Sequence, residues 1–386
     1  MAIYVVKSGD SVDSIAASVG VSVTKLLWAN QIEYPYRLAV GQALYIPPNG
    51  KREDGEERTE LYSFGYAYPF IGAETLAETL PFLTALYVFS YGFTPEGDLV
   101  SPHADDSWMI AAAKEKGVRP TMVLTPFGVD GHFNNNLVTA VTEDPDVQER
   151  LIWNLGRTMH EKGYEGLDID FEYVRAEDRE GFAGFVSRTR QVMNLFGYPV
   201  TVALAPKTSA GQEGLLYEGM DYGLLGAAAD RVLLMTYEWG FTYGPPMAVA
   251  PINMVRRVVD YAVTEISEEK ISLGIPNYGY DWPLPYIRGT TKAESISNLE
   301  AVKRAIDFGV EIQFDETAMS PYFHYWQYGI RHEVWFEDIR SIKAKYDLIR
   351  EYGLTGAGFW QLMSFFRPAW LLMEEMFGIF EPFGRK

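Results

Sequence analysis

The chain has 386 residues, of which 47% are hydrophobic and 15% aromatic, so it contains enough apolar material for a packed globular core and is not a disordered protein. Acidic residues outnumber basic ones by 52 to 33, giving a formal net charge of −19, and this field repels phosphate backbones and anionic lipid, which argues against nucleic acid as a partner. The length predicts one large domain plus a small one, and the absence of cysteine excludes disulfides and thiolate chemistry.

The first residues, MAIYVVKSGDSV, lack the basic segment and the long apolar run of a secretory signal. No apolar run elsewhere approaches the roughly 20 residues that a membrane span needs. We therefore expect neither a signal peptide in this sequence nor insertion into a membrane.

The first 48 residues predict a strand, two helices and a closing strand. Residues 3–6 (IYVV) are apolar, and Ser8 or Asp10 then precedes apolar positions at helical spacing. Ser22 or Thr24 opens a second helical pattern, and GQALYI is a closing strand stopped by two prolines. The predicted boundaries are 2–48 for this small βααβ domain, 49–59 for a charged, solvated linker and 60–386 for the large domain.

Residues 60–386 alternate short apolar runs with amphipathic helical patterns, which is typical of a parallel sheet covered by helices. Eight such units predict an α/β fold of the TIM-barrel type, and the length in excess of roughly 250 residues predicts an insertion. The excess, about 282–335, is rich in aromatic residues and predicts a small α+β insertion. The eight predicted strands are 61–68, 84–91, 118–126, 165–173, 198–206, 231–239, 271–279 and 354–362.

The fourth predicted strand, EGLDIDFEYV, carries the strongest chemical signal. Asp168, Asp170 and Glu172 are two residues apart, so a strand presents all three carboxylates on one face. The intervening side chains point toward the covering helices: Leu167, Ile169, Phe171 and Tyr173. Barrel sites lie at the carboxyl ends of the strands, which puts Glu172 nearest the substrate. We expect Asp170 to raise the pKa of Glu172 or to share a proton with it, making Glu172 a general acid.

The alternative for these acids is a charged edge strand in water, which a central barrel strand does not allow without a functional pocket. The segment resembles the Asp-x-x-Asp-x-Asp-x-Glu signature of glycoside hydrolase family 18, the chitinase-like enzymes, with Glu165 in place of the first Asp. The resemblance implies a retaining, substrate-assisted mechanism in which the substrate's 2-acetamido carbonyl is the nucleophile. It implies that Asp170 orients the acetamido group and that Glu172 donates the proton and then activates water.

The same resemblance extends to the ends of other strands. In MTYEWG, Tyr237 is implied to bond the acetamido oxygen, and Glu238 replaces the family's usual Asp. Trp360 is implied to form the hydrophobic floor under the sugar. Alone, Tyr237 or Trp360 would indicate only a core aromatic. The remaining predicted substrate contacts are Asn277, Tyr66 and Met235, with turn capping as the alternative for Asn277. The five histidines lack ligand spacing, so we predict no metal and no cofactor.

Residues 2–48 resemble a LysM domain, which binds N-acetylglucosamine units of peptidoglycan or chitin. The resemblance implies sugar contacts in two loops, at Gly9, Asp10 and Ser11 and at Asn30 and Gln31. Helix capping is the alternative for Asp10 and Ser11, and both roles can hold together. Tethering through such a module would raise the effective substrate concentration.

A LysM domain joined to a family 18 barrel is similar to the organisation of bacterial spore peptidoglycan N-acetylglucosaminidases, which also contain Tyr-Glu-Trp and Pro-Asn-Tyr-Gly-Tyr segments. The resemblance implies cleavage of peptidoglycan in the spore cortex, at the spore surface or in an extracellular cell wall. Two alternatives stay open: a chitinase acting on chitin, and a non-catalytic glycan-binding lectin. The sequence does not indicate endo or exo action, or the oligomeric state.

Overall fold

The structure is a computed structural model that describes residues 2–48, 58–129 and 131–384. Its N-terminal unit contains β1 (Ala2–Val5), α1 (Val12–Val19), α2 (Val23–Ala29) and β2 (Ala43–Ile46), with β1 and β2 paired antiparallel. The predicted βααβ order is therefore confirmed. The predicted linker falls mostly on residues 49–57, which lie outside the described residues.

The helix caps of this unit differ in part from the prediction. Ser11, not Ser8 or Asp10, caps α1 and forms a capping box with Ser14, because only Ser11 directly precedes the first helical residue and reaches the backbone N–H three positions on. Ser22 caps α2, as one of the two predicted alternatives.

Eight parallel strands close into a barrel, which confirms the predicted fold class. In chain order the strands of the large unit are β3 (Thr59–Ala67), β4 (Ala85–Phe93), β5 (Leu99–Val100), β6 (Arg119–Leu124), β7 (Gly166–Ile169), β8 (Val200–Leu204), β9 (Arg231–Leu234), β10 (Ile271–Pro276), β11 (Gly279–Leu284), β12 (Glu294–Ile296), β13 (Gln313–Asp315), β14 (Ser320–Gln327), β15 (Ile330–Trp335), β16 (Gly356–Trp360) and β17 (Phe377–Ile379). The ring runs β3, β4, β6, β7, β8, β9, β10 and β16, and the pairing of β16 with β3 closes it.

Helices follow most barrel strands and cover the outside of the ring. They are α3 (Ala73–Thr79), α4 (Ser107–Glu115), α5 (Asn135–Glu143), α6 (Pro145–Lys162), α7 (Arg179–Asn194), α8 (Tyr222–Ala228), α9 (Ile252–Glu265), α11 (Ile339–Tyr352) and α12 (Arg367–Met376). The remaining helix of the large unit, α10 (Asn298–Phe308), lies between β12 and β13. In the described ranges no single helix is long and apolar enough to cross a membrane; α1 and α2 satisfy that test only as a pair bent by 106°.

The fourth barrel strand, β7, is shorter than predicted, but its alternation holds beyond its end. Leu167, Ile169 and Phe171 all belong to the core between sheet and helices, where Phe171 stacks on Phe182 of α7. Tyr173 is 38% exposed with a φ of 57°, so the prediction that it also points to the helices is wrong. The chain has left the strand before that residue and no longer follows its alternation.

The predicted α+β insertion is confirmed, and it begins at Gly279 rather than near residue 282. Strands β11 to β15 form an antiparallel sheet in the order β12-β11-β15-β14-β13, with α10 packed on it. The N-terminal unit rests against this insertion: the Ile312 amide donates to the Val40 carbonyl at 2.9 Å. Gly41, with a φ of 82°, permits the approach because a Cβ there would lie 1.9 Å from the Ile312 carbonyl oxygen.

Candidate active site

Asp168 is the deepest carboxylate of the fourth strand and is fully buried. It accepts hydrogen bonds from the Tyr66 hydroxyl at 2.9 Å and from the Thr201 hydroxyl at 2.6 Å. Burial raises the pKa of Asp168 to about 6, although both hydrogen bonds lower it. Sequence reasoning missed Thr201; the signal was a polar residue inside the apolar run of β8, directly opposite Asp168 in the register.

Tyr66, predicted to contact substrate, is only 2% exposed and its hydroxyl is bound to Asp168. The structure places it under the cleft as a support for that carboxylate. The prediction of a direct substrate contact is therefore corrected, because the side chain is buried among the aromatic residues of the barrel interior and its hydroxyl already has a partner.

Asp170 is the next carboxylate toward the strand end and is 5% exposed. Its backbone N–H donates to the Leu124 carbonyl at 2.9 Å, but its buried Oδ1 has no hydrogen-bond partner within the described structure. Burial first, and then the charges of Glu172 and Asp168, raise its pKa well above the ordinary value. A buried acceptor without a partner is costly, so this oxygen is available to a donor that enters the cleft.

Glu172 is half-buried, and burial raises its pKa to about 7, with the charge of Glu238 as the second cause. The expected rise is thus present, and Glu238 is a contributing charge that the sequence did not indicate. The repulsion between Glu172 and Asp170 acts on both carboxyl groups, and with burial it raises the pKa of Asp170 as well. A carboxyl group with a pKa near neutrality can both donate and accept a proton.

Glu238 occupies a left-handed backbone conformation, φ 64°, just after β9. Its carboxylate accepts hydrogen bonds from the hydroxyls of Tyr278 and Tyr280, the latter at 2.9 and 3.1 Å. Burial of the carboxyl group raises the pKa of Glu238 while these two bonds lower it. Sequence reasoning missed Tyr280, although its alternation with Tyr278 in NYGYDW placed both tyrosines on one face of a strand.

Tyr237 is half-buried beside the carboxylates. Burial first, and then the charges of Asp170 and Glu172, raise the pKa of its phenol well above the ordinary value, so the hydroxyl remains a proton donor. Gly274 of β10 makes room for this ring, because a Cβ there would lie 2.8 Å from it. Met235, two residues before Tyr237, is half-buried and packs against the aromatic interior of the barrel.

Trp360 ends β16 and is half-buried. Its ring centroid lies 5.1 Å from that of Phe89, 5.6 Å from Tyr66 and 6.1 Å from Tyr68. These rings form a continuous aromatic wall at the carboxyl end of the barrel. Tyr68 was not among the predicted residues, and its place just after β3 was the available signal.

Asn277 is only 3% exposed. Its side-chain amide donates to the Ser364 carbonyl, and its Oδ1 accepts from Asn298 at 3.4 Å. The side chain thus links the end of β10 to the chain after Trp360 and is placed for neither of its predicted roles, sugar binding and turn capping. Its neighbours in space come from distant parts of the sequence, which spacing alone does not indicate.

In the N-terminal unit, most predicted sugar-binding side chains have partners inside the protein. The Asp10 carboxylate accepts from the Tyr4 hydroxyl at 2.9 Å and from the Lys7 amide at 2.8 Å, and Ser11 caps α1. Gly9, with a φ of 88°, has open space around it. The backbone near Gly9 therefore remains open to a ligand.

The second predicted loop of this unit is more deeply engaged. Asn30 is 5% exposed, and its amide bonds the Leu26 carbonyl and both main-chain groups of Tyr45 at 2.7 to 3.0 Å. Gln31 bonds the main chain of Phe365 and Arg367 in the large unit. Asn30 therefore stabilises the unit itself, and Gln31 joins it to the barrel.

The cleft thus brings together Asp168, Asp170, Glu172, Tyr237 and Glu238 above an aromatic wall that includes Trp360. Across the described part of the chain, no group of three or more His, Asp or Glu side chains is arranged to hold a metal ion. The arrangement can deliver a proton from Glu172, hold a polar group at Asp170 and Tyr237, and stack an apolar ring face on aromatic side chains.

Comparison with known proteins agrees with this geometry. The family model described as "Glycosyl hydrolases family 18" matches residues 115–364, and the LysM domain model matches residues 4–47. A cortical fragment-lytic enzyme of Bacillus subtilis (strain 168) is 38% identical over 428 residues, covering 98% of this chain and 99% of that protein.

The solved structures of similar fold include a spore enzyme and a chitinase. The spore cortex-lytic enzyme SleL of Bacillus megaterium QM B1551 has a TM-score of 0.92 and 34% identity, with 98% of each chain covered. A chitinase from Chromobacterium violaceum ATCC 12472 has a TM-score of 0.76 and 24% identity, with 81% of this chain and 98% of that chain covered. At 24% identity, the similarity to this chitinase shows a shared fold and nothing about activity.

Proposed function

The chain belongs to glycosyl hydrolases family 18, and from this premise we propose that it hydrolyses N-acetylglucosamine linkages of spore cortex peptidoglycan, with Glu172 as general acid and base. The protein is a glycoside hydrolase. The observation that carries the assignment of the acid is a half-buried carboxyl group, with a pKa of about 7, at the carboxyl end of the fourth barrel strand.

The proposed reaction has two steps. Glu172 protonates the glycosidic oxygen while the substrate's acetamido carbonyl oxygen bonds to C1, so the C1–O bond breaks and the leaving sugar departs with the proton. Glu172, now ionised, then takes a proton from water, and the resulting hydroxide attacks C1 and releases the acetamido oxygen. Both displacements invert C1, so the configuration is retained overall.

The other cleft residues serve the acetamido group and the ring. Asp170 accepts the acetamido N–H through its free oxygen and offsets the positive charge that develops there, and Tyr237 donates to the acetamido oxygen. Trp360 stacks under the sugar. The buried Asp168 carboxyl group lies beneath Asp170 and helps to raise its pKa. Hydrogen bonds from Tyr66 and Thr201 fix the orientation of the Asp168 carboxyl group.

The choice of cortex peptidoglycan rests on the relatives. Two proteins that match nearly the whole chain at 34% identity or more carry cortex-lytic or cortical fragment-lytic names, and residues 4–47 match the LysM model. On this basis we place the protein at the spore cortex or cell wall. The division into a glycan-binding domain 2–48, a linker 49–59 and a catalytic domain 60–386 is part of the same proposal, as is glycan contact through the backbone near Gly9.

A comparison of substrates tests this proposal. Purified native protein is incubated with spore cortex fragments and with chitin oligomers, and the new reducing ends are measured. We expect reducing N-acetylglucosamine ends from cortex fragments at a higher kcat/KM than from chitin oligomers. Faster cleavage of chitin oligomers would show that chitin, not cortex peptidoglycan, is the preferred substrate. Binding of both glycans without cleavage would show that the protein is a lectin and not an enzyme.

Replacing Glu238 tests the electrostatic control of the acid. Glu238→Gln removes the negative charge that helps raise the pKa of Glu172, so that pKa falls from about 7. Because the acid must be protonated to act, the alkaline limb of kcat/KM moves to lower pH, and activity at about pH 8 falls about three- to tenfold more than at about pH 5. The measurement is kcat/KM across this pH range.

Glu149→Gln is the matched control, since it removes one carboxylate from the exposed outer face of α6. It should leave the profile in place. A uniform loss of activity at every pH in Glu238→Gln, with no movement of the alkaline limb, would mean that Glu238 only contacts substrate.

A further inference from the structure

The chain segment after Trp360, residues 361–367, runs from the end of β16 to the first residue of α12, and we call it the Trp360 loop. Hydrogen bonds hold it from three directions. From inside the barrel, the Tyr66 carbonyl accepts the Leu362 amide at 2.9 Å. From β10, the Asn277 side chain donates to the Ser364 carbonyl. The third hold comes from the N-terminal unit.

Gln31 provides this third hold through both ends of its side-chain amide. Its Nε2 donates to the Phe365 carbonyl at 3.3 Å, and its Oε1 accepts from the Arg367 backbone N–H at 2.6 Å. The residue has a left-handed φ of 52° and is half-buried. Since both bonds go to main-chain groups, they set the position of the loop backbone itself.

Arg367 secures the same contact from the loop side. Its guanidinium donates to the Trp28 carbonyl at 2.9 Å, lies 4.9 Å from the Trp28 ring centroid and pairs with Glu78 of α3 at 2.9 Å. The contact between the N-terminal unit and the loop therefore combines hydrogen bonds with a cation–π contact, and the ion pair with Glu78, which lies within the large unit, holds the guanidinium in place. A module on a free tether would not be fixed in this way.

We propose that Gln31 is a positioning residue for the catalytic cleft, so that the N-terminal unit orders the loop that follows the Trp360 floor in addition to tethering the enzyme. This inference rests on the proposed function. The Trp360 carbonyl accepts a hydrogen bond from the backbone N–H of Asn277 at 3.0 Å, and the Asn277 side chain donates to Ser364 in the loop. A shift of the loop is therefore transmitted through Asn277 to Trp360. A misplacement of about 1 Å at a reacting centre can lower a rate by up to about a hundredfold.

The experiment uses the full chain and a chromogenic glycoside of N,N′-diacetylchitobiose, a substrate too small to bridge the cleft and the N-terminal unit. Gln31→Ala should lower kcat/KM on it about tenfold with an unchanged pH profile. Gln31→Glu keeps the acceptor for the Arg367 N–H but sets a carboxylate oxygen against the Phe365 carbonyl oxygen, so it should also lower kcat/KM. Thr24→Ala, an exposed change on α2, is the control and should behave as the native protein.

Retention on insoluble cortex peptidoglycan is measured for the same variants and separates the two roles of Gln31. Native-like retention with reduced turnover of the small glycoside supports the positioning role. Reduced retention with native turnover would overturn it and make Gln31 a glycan contact of the N-terminal unit. If the native protein cleaves neither substrate, both the proposed function and this inference are wrong. If the native protein is active and Gln31→Ala turns over the small glycoside at the same rate, only the inference is wrong.

Discussion

Glu172→Gln is expected to lower kcat on cortex fragments by about a thousandfold or more while the substrate still binds. The amide has nearly the shape of the carboxyl group, but it can neither give the leaving oxygen a proton nor take one from water, and general acid–base catalysis contributes about 10² to 10⁴. The measurements are kcat from the release of reducing ends and the dissociation constant by calorimetry.

The matched control is Glu149→Gln on the outer face of α6, which should retain native kcat. A second check is the melting temperature. It should not fall in Glu172→Gln, because burial already destabilises the ionised form of Glu172 and the amide carries no charge. If Glu172→Gln keeps more than about a tenth of native kcat, another group supplies the proton and the mechanism is wrong.

Asp170→Asn is expected to lower kcat about 10² to 10³-fold and at the same time to stabilise the fold. The loss follows from removing the charge that offsets the developing positive acetamido group. The gain follows from burial: the native carboxyl group is buried and its pKa is raised, and the neutral amide removes the cost of burying a charge. We expect the melting temperature to rise by about 2 °C or more at about pH 8.

The pH dependence of this stability gain has a definite sign. Because the folded pKa of Asp170 is raised above its ordinary value of 3.8, the native fold is most stable relative to the unfolded chain below that value and loses stability as the pH rises through the folded pKa. The variant has no such proton. The difference in melting temperature between variant and native protein should therefore widen from about pH 5 to about pH 8.

Asp106→Asn is a contrasting control elsewhere in the barrel. Burial alone would raise the pKa of Asp106, but hydrogen bonds from Lys162, Tyr91 and Tyr164 outweigh it and lower the pKa. Replacing this carboxylate should destabilise the protein at about pH 8. Stabilisation by both substitutions, or by neither, would contradict the role of buried charge at Asp170.

Much of the fold could be predicted because its signals are periodic and local. Eight apolar runs separated by amphipathic segments indicated the closed barrel, and the two-residue spacing of Asp168, Asp170 and Glu172 put three carboxylates on one face. The boundaries were less accurate: β7 ends at Ile169, since tertiary packing and not apolar pattern decides where the chain leaves the sheet.

The roles of individual polar side chains could be predicted less well. Tyr66 and Asn277 were expected to contact sugar, but one supports Asp168 and the other bonds Ser364. The contribution of Glu238 to the raised pKa of Glu172 was not predicted either. Each of these outcomes depends on which strand ends meet in the closed ring.

The sequence by itself determined the strand and helix order, the alternation of the carboxylate strand and the acidic surface, because these depend on spacing and composition along the chain. The tertiary structure alone decided that Thr201 and Tyr66 bond Asp168, that Tyr280 bonds Glu238 and that Gln31 bonds the Trp360 loop. Such contacts join residues up to 336 positions apart, as in the bond from Arg367 to Gln31. They arise from the closure of the barrel and the packing of the N-terminal unit against it, and no local pattern specifies them.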